Sequence, residues 1–319
     1  MTTLKPTRRT FLAGATAFPL VAILKRPASA AEFRLKYATG QAASHPVNIR
    51  AQEAIDRIRE ATSGRVDIRL FPANQLGADT DLLAQVRSGA VEFFNVSSLI
   101  LATFVPLSGM TSLGFAFQNY DDVWRAMDGP FGDHIRAEIA KRPIFAMNRI
   151  WDNGFRLRVP PAPALTSLFQ ALGAGPSPIN FNELYTALQT HVVEGQENPL
   201  AIIQTGRLYE VQKSCSLTGH VWDGYWVLAN KRLFEMLPED LREIVRTEID
   251  RSALDQRADI AGLSQTLRAD LGSKGLSFID VDQEAFRAAL GKTDFYAEWR
   301  AKYGDTAWEL LEQVSGKLG

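Results

Sequence analysis

Cysteine is nearly absent: Cys215 is the single one in 319 residues. That excludes an internal disulfide framework, a cysteine-ligated iron–sulfur cluster and a multi-cysteine zinc site. A lone thiol of this kind reads as a small buried hydrophobe. The four histidines, His45, His134, His191 and His220, stand far apart without metal-ligand spacing, so no metal is expected. The nucleophile elbow G-x-S-x-G, the H-E-x-x-H pair, the Walker phosphate loop and the G-x-G-x-x-G turn are all missing. Gly173-Ala174-Gly175 runs directly into Pro176 and fits a turn better than a phosphate cradle. No cofactor is expected. Nothing after residue 30 approaches the run of about 20 apolar residues that spans a bilayer. With 46% hydrophobic and 22% charged residues, the chain has ample material for a core and is neither disordered nor fibrous.

The first thirty residues read as a targeting segment and not as part of the fold. Arg8-Arg9 followed by Thr10-Phe11-Leu12 forms a twin-arginine pattern, and the apolar run Phe11–Leu24 leads to Ala28-Ser29-Ala30, an A-x-A processing site. Cleavage after Ala30 is expected, with export of the folded chain to the periplasm; a retained anchor is the alternative. The segment holds Lys5, Arg8, Arg9, Lys25 and Arg26 and no acid. The mature chain therefore carries 30 basic and 36 acidic residues, a net charge of −6. Such a surface does not suit nucleic acid, whose binding rests on phosphate neutralisation.

Periodicity places strands and helices in alternation. Phe33, Leu35 and Tyr37 alternate with Arg34 and Lys36, as in a half-buried strand. Ala51, Ala54, Ile55, Ile58 and Ala61 recur at helical spacing over Val47–Ala61, and Ser63-Gly64 stops that helix. Val66–Phe71 is a second strand. Asp79 or Asp81 caps a helix that ends at Gly89, and Val91–Val96 is a third strand. Strands alternating with helices favour a parallel sheet, with ligands beyond the carboxyl ends of its strands. That puts Thr39–Gln41, with Gly40 at its centre, and Ser97–Ser98 at a candidate cleft.

A second α/β region follows: a strand at Leu157–Val159, a helix over Leu165–Leu172 ending at Gly173, a helix from Asn182 to Gln189, and a strand starting at Val192–Val193. Two such regions suggest two lobes. Pro238–Leu271 carries Leu241, Ile244, Val245, Ile249, Leu254, Ile260 and Leu263 at roughly helical spacing. Unbroken, it would run about 50 Å, long enough to brace both lobes; two helices broken near Ala261-Gly262 are the alternative.

Arg156 and Arg158 stand in otherwise apolar, strand-like sequence. At spacing two they share one strand face, about 6–7 Å apart. A guanidinium in a cleft offers a flat fork of donors that fits a carboxylate with two bonds. The alternative is pairing of both arginines with the protein's own acids at the surface. Glu194 and Glu197 lie close enough in sequence to suggest an acid–base pair, but no nucleophile accompanies them.

These stretches carry a resemblance. Thr62-Ser-Gly-Arg-Val66, Phe71-Pro-Ala-Asn-Gln-Leu-Gly77, Leu157-Arg-Val-Pro160, Glu183–Gln189, Glu194-Gly-Gln-Glu-Asn-Pro199 and Tyr209-Glu-Val211 are similar to the extracytoplasmic solute-binding proteins of tripartite ATP-independent periplasmic (TRAP) transporters. The resemblance covers nearly the whole mature chain. It implies an α/β, two-lobed periplasmic-binding-protein-like fold with a long helix spanning both lobes, residues 31–151 and 224–263 in lobe I and 152–223 and 264–319 in lobe II. It implies a periplasmic monomer that is not an enzyme, that binds a small organic carboxylate and that hands it to transporter membrane subunits. Arg158 resembles the family's carboxylate clamp, Arg156 a second anionic contact, Asn198 a hydrogen-bonding neighbour and Phe181 an apolar wall. Gly40 and Ser97 are expected to face the cleft from the other lobe, with Trp222 as an extra wall. One departure stands out. The family has roughly twenty residues between the two arginine motifs, where here only Leu157 intervenes, so a strand or connecting segment of the second lobe is expected to be missing. A periplasmic enzyme acting on an organic acid and a sensory binding module are the competing functions.

Overall fold

The computed structural model describes residues 31–155 and 161–319. The twin-arginine segment, Arg156, Arg158 and the expected strand Leu157–Val159 lie outside the described residues. The strands are β1 Phe33–Thr39, β2 Val66–Phe71, β3 Phe93–Ser97, β4 Ile144–Ala146, β5 Trp151–Phe155, β6 Ser214–Ser216, β7 Trp222–Asn230 and β8 Ser277–Ile279. Six of them make one sheet, in the order β2-β1-β3-β7-β4 with β5 also on β7. β1 runs parallel to both β2 and β3. β7 runs antiparallel to β3, and on its other side pairs with β5 through its first half and β4 through its last residues. The chain leaves β1 for β2 on one side and returns to β3 on the other. The carboxyl ends of β1 and β3 thus flank the switch point where α/β sheets open a crevice.

Local signals explain the elements of this first lobe. His45 caps the helix Pro46–Ala61 by accepting from Val47 N at 3.2 Å, and the helix stops where Ser63 and Gly64 turn left-handed, at φ +53° and +78°. The next helix, Asp79–Ser88, is capped from inside its first turn. Its N-cap is Ala78, whose N–H donates to the Asp81 carboxylate at 3.2 Å. Pro46–Ala61 and the start of the long helix cover one face of the sheet through Val47, Ile55, Leu241, Val245 and Ile249. Leu82, Leu99, Phe131 and Ile135 cover the other.

The long helix is a single element, Glu239–Ser273, of 35 residues, about 52 Å at 1.5 Å per residue. It passes Gly262 unbroken, at a cost of about 1 kcal/mol in helix propensity relative to alanine, and a Cβ there would meet nothing within 4 Å. Leu241, Val245, Ile249 and Ala253 pack into the first core, and Leu271 packs with Leu184, Leu188 and Ile203 in the core of the second lobe. No helix among the described residues is long and apolar enough to cross a membrane.

The second lobe is thinner than its sequence suggests. Among the described residues its sheet is β6 and β8, paired in parallel. The strand expected at Val192–Val193 does not form. His191 takes φ +56° and Val192 is 73% exposed; the Val192 and Val193 N–H groups instead donate back to Ala187 O at 2.9 and 3.4 Å, closing the end of the preceding helix instead of joining a ladder. The helices Pro163–Ala171, Phe295–Tyr303 and Asp305–Ser315 pack into the first lobe's core through Leu165, Leu168, Trp299 and Trp308. The chain therefore crosses back after each passage through the second lobe.

Candidate ligand-binding site

Gly40, Ser97, Phe181 and Asn198 meet. The first two follow or end β1 and β3, the last two belong to the other lobe, and all four line one narrow gap with Gln41, Asn95 and Tyr225. A Cβ on Gly40 would come within 2.4 Å of the Asp79 carboxylate, which would have to turn aside. Ser97 serves the scaffold. Its hydroxyl donates to Asp223 Oδ2 at 2.7 Å and accepts from Leu99 N at 3.2 Å, capping the short helix Ser98–Leu101. Phe181 opens the helix Phe181–Gln189 and packs on the second core. Asn198 is 3% exposed; its amide nitrogen donates to Gln196 at 2.7 Å, and its amide oxygen has no partner among the described residues. The Asn95 and Gln41 amide oxygens on the facing lobe are likewise buried without partners. The gap thus presents buried acceptors from both lobes, groups that need a donor. Its free volume, about 20 Å³, holds about one water, so a solute enters only when the lobes part.

Trp222 lies elsewhere. It is 1% exposed in the first core, edge-on to Phe117 at 6.1 Å and Trp124 at 5.6 Å, and its indole donates to Asp152 at 3.0 Å. A tryptophan opening an apolar strand is packed by that strand's neighbours, and here it supports the crossover without reaching the gap. Glu194 is exposed and Glu197 buried. Glu197 Oε2 lies 3.8 Å from His220 Nε2. Cys215 is buried, and burial pushes its thiol up.

The structure adds residues that sequence reading passed over. Asp223, fully buried in β7, accepts from Ser97 at 2.7 Å, Ser112 at 2.8 Å and Asn153 at 2.9 Å, linking β3, β5 and β7 behind the gap. The signal was available: it is the one charge in the apolar run Val221–Ala229. Asp152, on β5, is also fully buried; burial pushes its carboxyl up to about 6, opposed by donation from Trp222 and Gly154. Gln256 of the long helix grips the backbone of Asp152 at both its N–H (2.8 Å) and its carbonyl (2.7 Å). One turn of the same helix also supplies Arg257, which holds Ile150 O at 2.9 Å and the Asp128 carboxylate at 2.8 and 3.0 Å. Burial opposes ionisation of Asp128, yet Arg257 and Arg149 outweigh it and hold the carboxyl below its ordinary range. The crossover strand β5 is therefore fastened to the bracing helix where the lobes join.

Two α/β lobes, a helix bracing both, and a gap built from strand ends of one and helix starts of the other define a two-lobed solute-binding protein. The chain matches the family described as bacterial extracellular solute-binding protein, family 7 (DctP), over residues 37–157 and 153–298. It belongs to that family, the periplasmic solute-binding proteins of TRAP transporters. The join between the two matched segments falls where the arginines crowd together. Relatives include the uncharacterized protein y4mM of Sinorhizobium fredii, 33% identical over 89% of this chain; the alignment spans 56% of that longer protein. The 2,3-diketo-L-gulonate-binding periplasmic protein YiaO of Escherichia coli is 27% identical, over 88% of this chain and 89% of its own. Among solved structures, the sugar acid binding protein DctPAm of Advenella mimigardefordensis, in complex with galactonate, superposes with a TM-score of 0.86 at 26% identity, covering 91% of this chain and 100% of that one.

Proposed function

We propose that the mature chain captures a small organic carboxylate between its lobes and delivers it, as a monomer, to the membrane subunits of a TRAP transporter. The observation that carries this reading is the meeting of Gly40 and Ser97 with Phe181 and Asn198 around one gap. Relatives named for 2,3-diketo-L-gulonate and galactonate support an acidic solute. β5 leads from the fastened crossover directly into Arg156 and Arg158. Arg158 is assigned as the clamp because the sequence after it follows the family pattern without a break; Arg156 is the second contact. A guanidinium shielded from water by lobe closure pairs strongly with a carboxylate and leaves a costly unpaired charge without one.

Residues 1–30 are assigned as a twin-arginine signal removed after Ala30. The two-part family match and the two-stranded sheet support the loss of a segment between Arg156 and Arg158, which leaves lobe II shortened.

A thermal-shift screen of carboxylates on the mature protein tests the function. A ligand at about 100 times its Kd stabilises the folded state by about 2.7 kcal/mol. At least one acid is expected to raise Tm, and Arg158→Ala to weaken that acid about tenfold or more. An unchanged response in Arg158→Ala sinks the clamp, and silence across the panel sinks the solute-binding assignment.

A further inference from the structure

The gap between the lobes is one-sided in its hydrogen bonding. Gln41, Asn95 and Asn198 line it and are 7%, 3% and 3% exposed. The amide oxygen of each is buried with no hydrogen-bond partner among the described residues. Side-chain donors beside them already have acceptors. Ser97 gives its hydroxyl proton to Asp223 at 2.7 Å, the Asn198 amide nitrogen donates to Gln196 at 2.7 Å, and the Asn95 amide nitrogen reaches the Tyr37 hydroxyl at 3.4 Å. Three buried oxygens are left that need donors.

The same gap contains an acid. Asp79 lines it as the first residue of the helix Asp79–Ser88, at the end where a helix dipole favours negative charge. Its carboxylate lies over Gly40, with Oδ1 2.4 Å from where a Cβ on that glycine would stand. Among the described residues no lysine or arginine lines the gap. The first lobe therefore meets a solute with a negative charge and two unpaired oxygens. A pocket for a second carboxylate needs the reverse, cations or N–H donors.

A primary ammonium is the complement of this pattern: it has three N–H donors, no acceptor and a positive charge. We propose that Asp79 is the specificity-determining residue of the gap: it takes an ammonium group on the solute and turns away a second carboxylate, so that the chain selects amino acids over dicarboxylates. Gln41 and Asn95 accept from the ammonium on the first lobe, and Asn198 completes the set when the second lobe closes. Repulsion contributes to the choice as well as attraction. A second carboxylate shut in beside Asp79 places like charges together where little water is left to screen them. Ile100 and Ile202, one from each lobe, flank the solute's carbon chain. The inference rests on the reading of the chain as a carboxylate-binding protein and adds what the rest of that carboxylate must carry.

The experiment is calorimetric titration of matched solutes into the mature protein. The α- and ω-amino acids of about three to six carbons are each compared with the dicarboxylate and the unsubstituted acid of the same length. At least one amino acid is expected to bind, about tenfold or more tighter than both of its partners. Asp79→Asn is expected to weaken that amino acid about tenfold or more and to narrow its margin over the dicarboxylate. Gln41→Glu puts a second negative charge into the gap in nearly the same volume and is expected to widen the margin; it is the deciding variant if Asp79→Asn proves too unstable to titrate. A dicarboxylate that binds as tightly as its amino partner overturns the filter and leaves the solute-binding reading standing. A margin unchanged in Asp79→Asn, or narrowed in Gln41→Glu, does the same. Absence of binding by every amino acid also overturns the filter, whereas only silence across the wider carboxylate screen reaches the solute-binding reading itself.

Discussion

At the scale of single residues, buried acids hold the crossover together, and one of them, Asp152, gives it a pH response. Asp223 takes three donors while showing no surface to water. Asp223→Asn would turn an amide N–H toward groups that are themselves donating, and is expected to cost about 2–4 kcal/mol, read from urea unfolding. Asp152 is the acid that responds to pH. Burial raises its carboxyl from 3.8 to about 6, so folding favours the protonated form. The folded state therefore loses stability as pH climbs through the interval from about 4 to about 6, by about 3 kcal/mol in all, and the loss persists above it. Asp152→Asn is expected to gain on the wild type between pH 4 and pH 7 by up to about that amount, measured by denaturant unfolding at each pH. A gap between the two proteins that stays constant with pH would contradict the raised carboxyl. Asp223 interrupts an apolar strand and could have been noticed, whereas Asp152 stands in the mixed run Trp151–Phe155 and carries no such signal. Which interrupting charge lies against solvent and which is ringed by donors depends on neighbours 70 and 111 positions away.

At the scale of elements, the long helix does more than brace. Leu241, Val245 and Ile249 announce its buried face by spacing alone, and that much was legible, while Leu254, read with them, is 48% exposed. Its polar grip was not, because Gln256 and Arg257 read as ordinary surface residues until β5 and Asp128 are set beside them. Gln256→Ala would leave the buried N–H and carbonyl of Asp152 without partners, and is expected to lower stability by about 2–4 kcal/mol in urea unfolding. Gly262→Ala tests the same helix from the other direction. The position is open and the helix continuous, so the substitution is expected to stabilise by about 0.5–1 kcal/mol, seen as a higher Tm. A lower Tm would mean that the helix needs a weak point there. The failed strand at Val192–Val193 makes the complementary point: β-branched residues make a strand only where another strand offers a ladder.

At the scale of the whole molecule, the two lobes differ in how firmly they are built. Among the described residues the first has a six-stranded sheet covered on both faces and the second a two-stranded sheet. Short sheets of two strands are marginal by themselves, so amide hydrogens of β6 and β8 are expected to exchange well before those of β3 and β7 in hydrogen-exchange mass spectrometry. Equal protection would show the second lobe to be as cooperative as the first. The gap needs motion as well: a space of about 20 Å³ admits no organic acid until the lobes separate.

What the sequence by itself determined is whatever depends on near neighbours: the strand and helix periods of the first lobe, the stops at Ser63-Gly64 and Gly89, the length of the long helix and the family pattern around Glu194–Pro199. Tertiary structure decided which distant side chains meet. It brought Gly40 and Ser97 against Phe181 and Asn198, sent Trp222 into the core and returned the C-terminal helices to the first lobe. Local conformation follows from forces acting over a few residues. Burial, charge pairing and cavities arise only when the folded chain fixes what lies on the other side.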